Sequence, residues 1–127
     1  MIAAVALAII VRSVQKADIQ KKRDTAHRSA LLGYSESFKP GMTRKDVENN
    51  LRAQHTKFFE ECCYEERSAF AVLVKVGEED VPWFCSEYPV YVVFEFSATP
   101  PPTVPLKPYD SDVLKNIHLT SRGEGCL

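Results

Sequence analysis

Glycine and histidine are scarce in this 127-residue chain, and their scarcity excludes several kinds of site. The sequence has five glycines and three histidines, and the glycines lack the spacing of a phosphate-binding loop. His27, His55 and His118 are far apart, and none lies in a His-x-x-Glu-His or comparable metal-binding pattern. A Gly-x-Ser-x-Gly nucleophile elbow is absent. The sequence therefore predicts no cofactor and no metal site, and we expect a protein that is not an enzyme.

The sequence also lacks a hydrophobic run long enough to cross a membrane. Residues 1–11 contain no charged side chain, but a membrane-spanning helix needs about 20 apolar residues. We interpret residues 1–11 as the remnant of a transmembrane anchor whose beginning is missing. The alternative is an amphiphilic helix that lies on a partner.

Charge is unevenly distributed, and neither sign dominates. The formal net charge is −1, yet residues 1–30 carry six basic and two acidic side chains, a net of +4, which leaves −5 on residues 31–127. A mildly acidic folded part argues against a nucleic-acid partner. The positive-inside rule would place residues 12–28 in the cytoplasm.

The first half of the chain is typical of two helices. Residues 12–38 are predicted to form one helix, a polar stalk over residues 12–30 followed by an apolar face at Leu31, Tyr34 and Phe38. Pro40 and Gly41 end this helix. A second, shorter helix follows a corner with clear capping chemistry. In this corner Thr43 is the predicted N-cap, with Asp46 three residues later. Met42 and Val47 occupy the two positions of a hydrophobic staple, and Val47 and Leu51 form the apolar stripe of the second helix.

The second half of the chain alternates with a period of two, which indicates strands. The predicted strands cover residues 57–64, 69–76, 89–97 and 112–122, and a polyproline-like loop at residues 99–105 precedes the last one. We therefore predict a single α+β domain over residues 31–127. It has the order ααββββ, an antiparallel sheet of three to four strands, one face covered by helices and the other partly exposed.

The corner resembles a known family. Gly41-Met42-Thr43, followed by Asp46-Val47 and Leu51 and then a meander, is similar to the corner of SmpA/OmlA-type barrel-assembly lipoproteins. The β-lactamase-inhibitor-like modules share that layout. With its N-terminal apolar run and its final Glu-Gly-Cys-Leu, the chain also resembles small bacterial membrane-anchored envelope proteins. The resemblance implies a bacterial envelope location and no particular activity. The chain departs from the lipoproteins in lacking a lipid-box cysteine.

The four cysteines are candidates for disulfide bonds. Cys62 and Cys63 are adjacent in a predicted strand and point to opposite faces, while Cys85 precedes the third strand and Cys126 follows the fourth. We expect Cys62 and Cys63 to bond with Cys85 and Cys126 in some order, which requires an oxidising compartment. A thiolate metal site is the alternative, but it lacks Cys-x-x-Cys spacing.

An aromatic cluster is the candidate interaction surface. It comprises Trp83, Phe84, Tyr88 and Tyr91, and aromatic residues concentrate at binding hot spots. The alternative is that Trp83 and Phe84 close one end of the sheet. We expect an inner-membrane protein with a periplasmic head that binds an unidentified envelope protein. The competing hypothesis is a small thiol-dependent or hydrolytic enzyme that uses the cysteines or His118.

Overall fold

The computed structural model describes residues 2–62, 69–98 and 107–127, in which two helices precede a four-stranded antiparallel sheet. The elements are α1 (Ile2–Ser37), α2 (Arg44–Ala53), β1 (Phe59–Glu61), β2 (Ala71–Glu78), β3 (Pro89–Ser97) and β4 (Val113–Ser121). The strands pair in the order β1-β2-β3-β4. The predicted α+β class and element order are confirmed. Cys63 and the polyproline-like loop at residues 99–105 lie outside the described residues.

Helix α1 joins the apolar N-terminal run, the polar stalk and the docking face in one continuous element of 36 residues. Only its C-terminal part reaches the main core, where Leu31 and Tyr34 pack beside the buried Phe38. The rings of Tyr34 and Phe38 both meet Phe94 of β3 edge-on, at 5.7 and 5.3 Å between centroids. Within the described residues, no helix has the length and apolar character needed to cross a membrane.

The corner between the helices is fixed by capping and by β4. Thr43 is the N-cap of α2, and its hydroxyl accepts a hydrogen bond from the Asp46 amide at 3.3 Å. Gly41 has φ +98°, a conformation that favours glycine. The Gly41 amide donates to the Leu114 carbonyl, and the Leu114 amide donates to the Met42 carbonyl, at 2.8 and 2.7 Å. The corner therefore continues the sheet for a short distance beyond β4.

The main core lies between the helices and one face of the sheet. Val47 and Leu51 of α2 are fully buried, and they belong to the same cluster as Val72, Val92 and Phe94 of the central strands. The opposite face is partly exposed, as expected: Lys75, which pairs with Tyr91, is exposed. The centre of this face is a second buried cluster of Ala71, Leu73, Tyr91 and Val93. Phe59 of the edge strand β1 covers part of it, with its ring edge-on to Tyr91 at 5.4 Å.

Two irregularities change which side chains face the core. A register shift between Glu95 and Phe96 pairs Phe96 with Leu114, so that Leu114 enters the core, whereas alternation with Ile117 and Leu119 would have placed Val113 there. A second shift, between Lys75 and Gly77, lets β2 run to Glu78, two residues beyond the predicted end of the strand at residue 76. Both are β-bulges, which re-aim side chains by inserting one residue.

Candidate functional site

The segment after β2 and the chain after β4 are tied together into a compact structure, which we call the clasp (residues 81–87 and 122–127). Glu87 and Glu124 exchange backbone hydrogen bonds of 3.2 and 2.9 Å, and the Leu127 amide donates to the Phe84 carbonyl at 2.8 Å. A disulfide joins Cys85 to Cys126 with an S–S distance of 2.03 Å. The clasp is therefore held by backbone pairing and by a covalent bond.

Two glycines, Gly123 and Gly125, allow residues 122–127 to pack closely against residues 81–87. A Cβ on Gly123 would lie 2.6 Å from the sulfur of Cys126 and 2.7 Å from that of Cys85. Gly125 has φ +59°, and a Cβ there would lie 2.8 Å from the Ser86 hydroxyl. A side chain at either position would force the clasp apart.

The clasp exposes a set of large apolar side chains, which we call the tip: Val81, Trp83, Phe84 and Leu127. Trp83 is 89% exposed, and its ring packs edge-on against Phe84 at 5.6 Å between centroids. Phe84 and Val81 are 43% and 44% exposed. Because the backbone beneath the tip is already fixed, these side chains are presented with little ordering left to do on binding.

Acidic residues are frequent in the sequence that leads into and through the tip. Residues 78–88 contain four acidic side chains and no lysine or arginine. Asp80 directly precedes the clasp, and its ion pair with Arg23 of α1 at 2.7 Å lowers the pKa of the Asp80 carboxyl. An apolar tip with an acidic rim is complementary to an apolar pocket with basic side chains around it.

The predicted aromatic cluster divides into two parts. Trp83 and Phe84 form the exposed tip, whereas Tyr91 lies 5% exposed in β3. The Tyr91 hydroxyl donates to Glu124 at 2.7 Å, and burial together with this bond raises the pKa of Tyr91 to about 12. Tyr88 is half-buried, against Gly123 of the clasp. Tyr88 and Tyr91 therefore support the clasp instead of contributing to its exposed tip.

The disulfide expectation is confirmed for one pair, and the predicted connectivity is wrong. Cys85 and Cys126 bond to each other, not to Cys62 and Cys63. Since β3 and β4 are antiparallel neighbours, with Val90 opposite Ser121, the residues before β3 and after β4 meet at one end of the sheet. Cys62 is also disulfide-bonded. A metal site built from four free thiolates is therefore excluded.

A buried ion cluster was not predicted. Arg44 is 1% exposed, and its guanidinium lies 3.0 Å from Asp112, 3.4 Å from Glu60 and 3.6 Å from Glu48. It also donates to the Phe70 carbonyl and lies 4.3 Å from the centroid of the Phe96 ring. Arg44 thus links α2 to β1 and to the start of β4. No short motif marks this cluster, because its members are up to 68 residues apart.

No sequence motif grouped the histidines with other potential metal ligands, but the structure does so for His27. His118 lies in β4 opposite Val93, and His55 follows α2 with φ 56°. His27 is buried and lies near two carboxylates, Asp24 and Glu79. The spacing of Asp24 and His27, three residues apart on a helix, was the available sequence signal.

Two surface grooves lie within the part of the chain that the structure describes. One is lined by Ala30, Gly33, Tyr34, Ser37 and Gln54, the other by Lys57, Phe58, Phe59, Leu73, Lys75 and Tyr91. Neither is lined by cysteine, histidine or a carboxylate, so these grooves offer the hypothesis of a thiol-dependent or hydrolytic enzyme no support.

Comparison with known proteins gives no match: no protein-family model fits the chain, and no curated protein or solved structure is similar to it.

Proposed function

We propose that this chain is a non-enzymatic envelope domain, attached to a membrane through the N-terminal end of α1, that binds another protein through the tip of the clasp. The partner is an envelope protein with an apolar pocket and basic side chains at its rim. The head lies on the extracytoplasmic side of a bacterial inner membrane.

The observation that carries the binding proposal is Trp83. An aromatic side chain buries 150–250 Å², which at about 25 cal/mol per Å² corresponds to about 4–6 kcal/mol before the costs of association. Trp83 is nearly fully exposed in the free protein, yet the clasp fixes the backbone that carries it. A rigid, exposed tryptophan is the type of residue that dominates binding energy at protein interfaces.

Membrane attachment is supported by the free end of α1. All described residues from Ile2 to Ile19 are exposed. At 1.5 Å per residue these 18 residues extend about 27 Å. The apolar side chains Ile2, Leu7, Ile9 and Ile10 are between 59% and 88% exposed along the first turns. Burying them in a bilayer would remove this apolar surface from water.

The disulfide supports an extracytoplasmic head, because such bonds persist in oxidising compartments. This argument opposes the positive-inside reading of the basic residues in the stalk. We give the disulfide more weight, since the charge rule compares two flanks and residues 12–28 represent one of them.

Photo-crosslinking in cells tests the protein-binding proposal. A photoreactive phenylalanine analogue at position 83 should give an ultraviolet-dependent adduct with one discrete protein, and the same analogue at the exposed Lys45 of α2 should not. Cys85→Ser with Cys126→Ser should reduce the adduct several-fold, because the tip is then no longer fixed. Equal adducts from positions 83 and 45, no protein adduct from position 83, or a lipid adduct there would each contradict the proposal.

Fractionation and protease access test the location. Leu7→Asp with Ile10→Asp should release the protein from the membrane fraction. Thr25→Asp with Ser29→Asp, which adds the same charge to exposed positions of α1, should not. Protease added to intact spheroplasts should digest residues 31–127. Protection until the membrane is lysed would place the head in the cytoplasm.

A further inference from the structure

Three potential metal ligands meet where α1 contacts the end of β2. Asp24 and His27 lie three residues apart and so share one face of α1, and Glu79 follows β2 directly. One ligand atom from each of the three residues can be chosen so that all lie within 4.8 Å of one another. The cluster is separate from the clasp tip, and the proposed binding function does not use it.

Among the residues that the structure describes, His27 is a buried side chain with an ion-pair neighbour, Glu79, and no hydrogen bond. It is 6% exposed, and its Nδ1 lies 3.6 Å from Oε1 of Glu79, which is too long for a hydrogen bond. Its ring lies over Gly77, where any Cβ would overlap Nε2. The imidazole is therefore held in place by packing, and its Nδ1 faces the Glu79 carboxylate at ion-pair distance without forming a hydrogen bond.

The two carboxylates share one neutral donor. Nε2 of Gln20 donates to Oδ1 of Asp24 at 2.9 Å and to Oε2 of Glu79 at 3.0 Å. Neither carboxylate forms an ion pair with a lysine or arginine among the described residues, since the neighbouring Arg23 pairs with Asp80. The two carboxylates and the buried imidazole thus face one another, Arg23 interacts with Glu79 only beyond ion-pair distance, and Oε1 of Glu79 is directed at His27.

We propose that Asp24, His27 and Glu79 bind a divalent transition-metal ion, of which Zn²⁺ is the representative. Zinc–nitrogen and zinc–oxygen bonds of about 2.0–2.2 Å place two tetrahedral ligands about 3.3–3.6 Å apart. The 3.6 Å between Nδ1 of His27 and Oε1 of Glu79 matches this separation. Three protein ligands leave a fourth position for water.

The ligand set favours a transition metal over Ca²⁺ or Mg²⁺, because imidazole suits the former and all-oxygen sets suit the latter. Gln20 would orient both carboxylates from outside the coordination sphere, as such partners commonly do. The ion would join α1 to the sheet and so determine the direction in which residues 2–19 project from the head.

Calorimetric titration of Zn²⁺ into the full chain tests the proposal. The protein is treated with chelator and kept without reductant, so that the disulfides leave no thiolates to bind the ion. We expect one Zn²⁺ per chain, and a loss of affinity of about 100-fold or more for Asp24→Asn, His27→Asn and Glu79→Gln. Gln20→Ala should weaken binding by about 10- to 100-fold, the usual effect of losing a residue that orients a ligand.

His55→Asn is the matched control, because it removes a histidine at a positive φ that asparagine tolerates. It should bind Zn²⁺ like the wild type. Circular dichroism identifies any variant that fails to fold. If one of the three ligand variants fails to fold, the weaker Zn²⁺ binding expected of Gln20→Ala still tests the proposal. Absence of saturable Zn²⁺ binding, equal binding by the wild type and His27→Asn, or equally tight binding of Ca²⁺ would each overturn the assignment.

Discussion

Replacing Arg44 by methionine would show how strongly the buried ion cluster ties the two helices to the sheet. Methionine keeps most of the side-chain length and removes the charge. Among the described residues, Asp112, which is 0% exposed, would keep only the Tyr109 amide as a donor to its carboxylate, because its other partner is Arg44. Within this part of the chain, one oxygen of Asp112 already has no hydrogen-bond partner. The substitution therefore leaves a buried charge without compensation.

The expected cost is about 3–5 kcal/mol, which is typical when one partner of a buried ion pair is removed. For a domain of this size, about 2–8 °C of melting temperature is lost per kcal/mol, so the midpoint should fall by at least about 6 °C. Urea unfolding should be followed by far-ultraviolet circular dichroism, since the single tryptophan, Trp83, is already 89% exposed and reports little on unfolding.

Arg52→Met is the matched control. Arg52 pairs with Glu48 at 3.2 Å, as Arg44 does at 3.6 Å, but its side chain is 60% exposed. Exposed pairs contribute about 0.2–1 kcal/mol, so this variant should unfold close to the wild type. Arg44→Met with Asp112→Asn should regain part of the loss, because the double variant no longer buries an unpaired charge. The reasoning fails if Arg44→Met costs less than about 1 kcal/mol or no more than Arg52→Met.

Two further changes test the same corner. Burial raises the pKa of the Glu48 carboxyl above its usual range, with a further increase from the negative charge of Glu60 and an opposing effect of Arg44. The stability that protonated Glu48 contributes is therefore present below the unfolded-state pKa and is lost as the pH rises through the folded-state pKa. The urea midpoint of Glu48→Gln should therefore improve relative to the wild type between about pH 4 and pH 7, and a difference that stays constant would refute this. Thr43→Ala removes the N-cap hydrogen bond and should lower the free energy of unfolding in urea by about 1 kcal/mol. As a control, Thr25→Ala on the exposed face of α1 should change that free energy by no more than about 0.5 kcal/mol. Equal effects of the two substitutions would show that Thr43 does not cap α2.

The fold was predictable from the sequence where local chemistry determines it. Capping at Thr43 and the apolar spacing of Val47 and Leu51 are short-range signals, and the structure places all three as expected. The strands follow from alternation with a period of two. What alternation does not reveal is an inserted residue: the bulge in the β3–β4 pairing exchanges the roles of Val113 and Leu114.

The candidate sites were only partly predictable, because they depend on contacts distant in sequence. Cys85 and Cys126 are 41 residues apart, and their bond follows from the antiparallel pairing of β3 with β4 more directly than from cysteine spacing. Trp83 was noted from the sequence as a candidate for an interaction surface, but the separation of Trp83 from Tyr91 required the sheet. Each of Arg44 and His27 has one neighbour on its own helix, Glu48 and Asp24, but the other partners, Asp112, Glu60 and Glu79, come from distant parts of the chain.

The direction of the projecting helix depends on two well-separated contacts. Phe38 fixes the C-terminal end of α1 in the core, and His27 lies 11 residues earlier, about 16 Å along the helix. Arg23 and Asp80 also join α1 to the loop before the clasp, but Asp80 is 85% exposed, and exposed ion pairs contribute little. The His27 cluster is thus the contact best placed to decide whether α1 lies firmly against the end of the sheet. Because Glu79 and Asp80 directly precede the clasp, any change at this cluster would alter how the tip is presented relative to the N-terminal end of the chain.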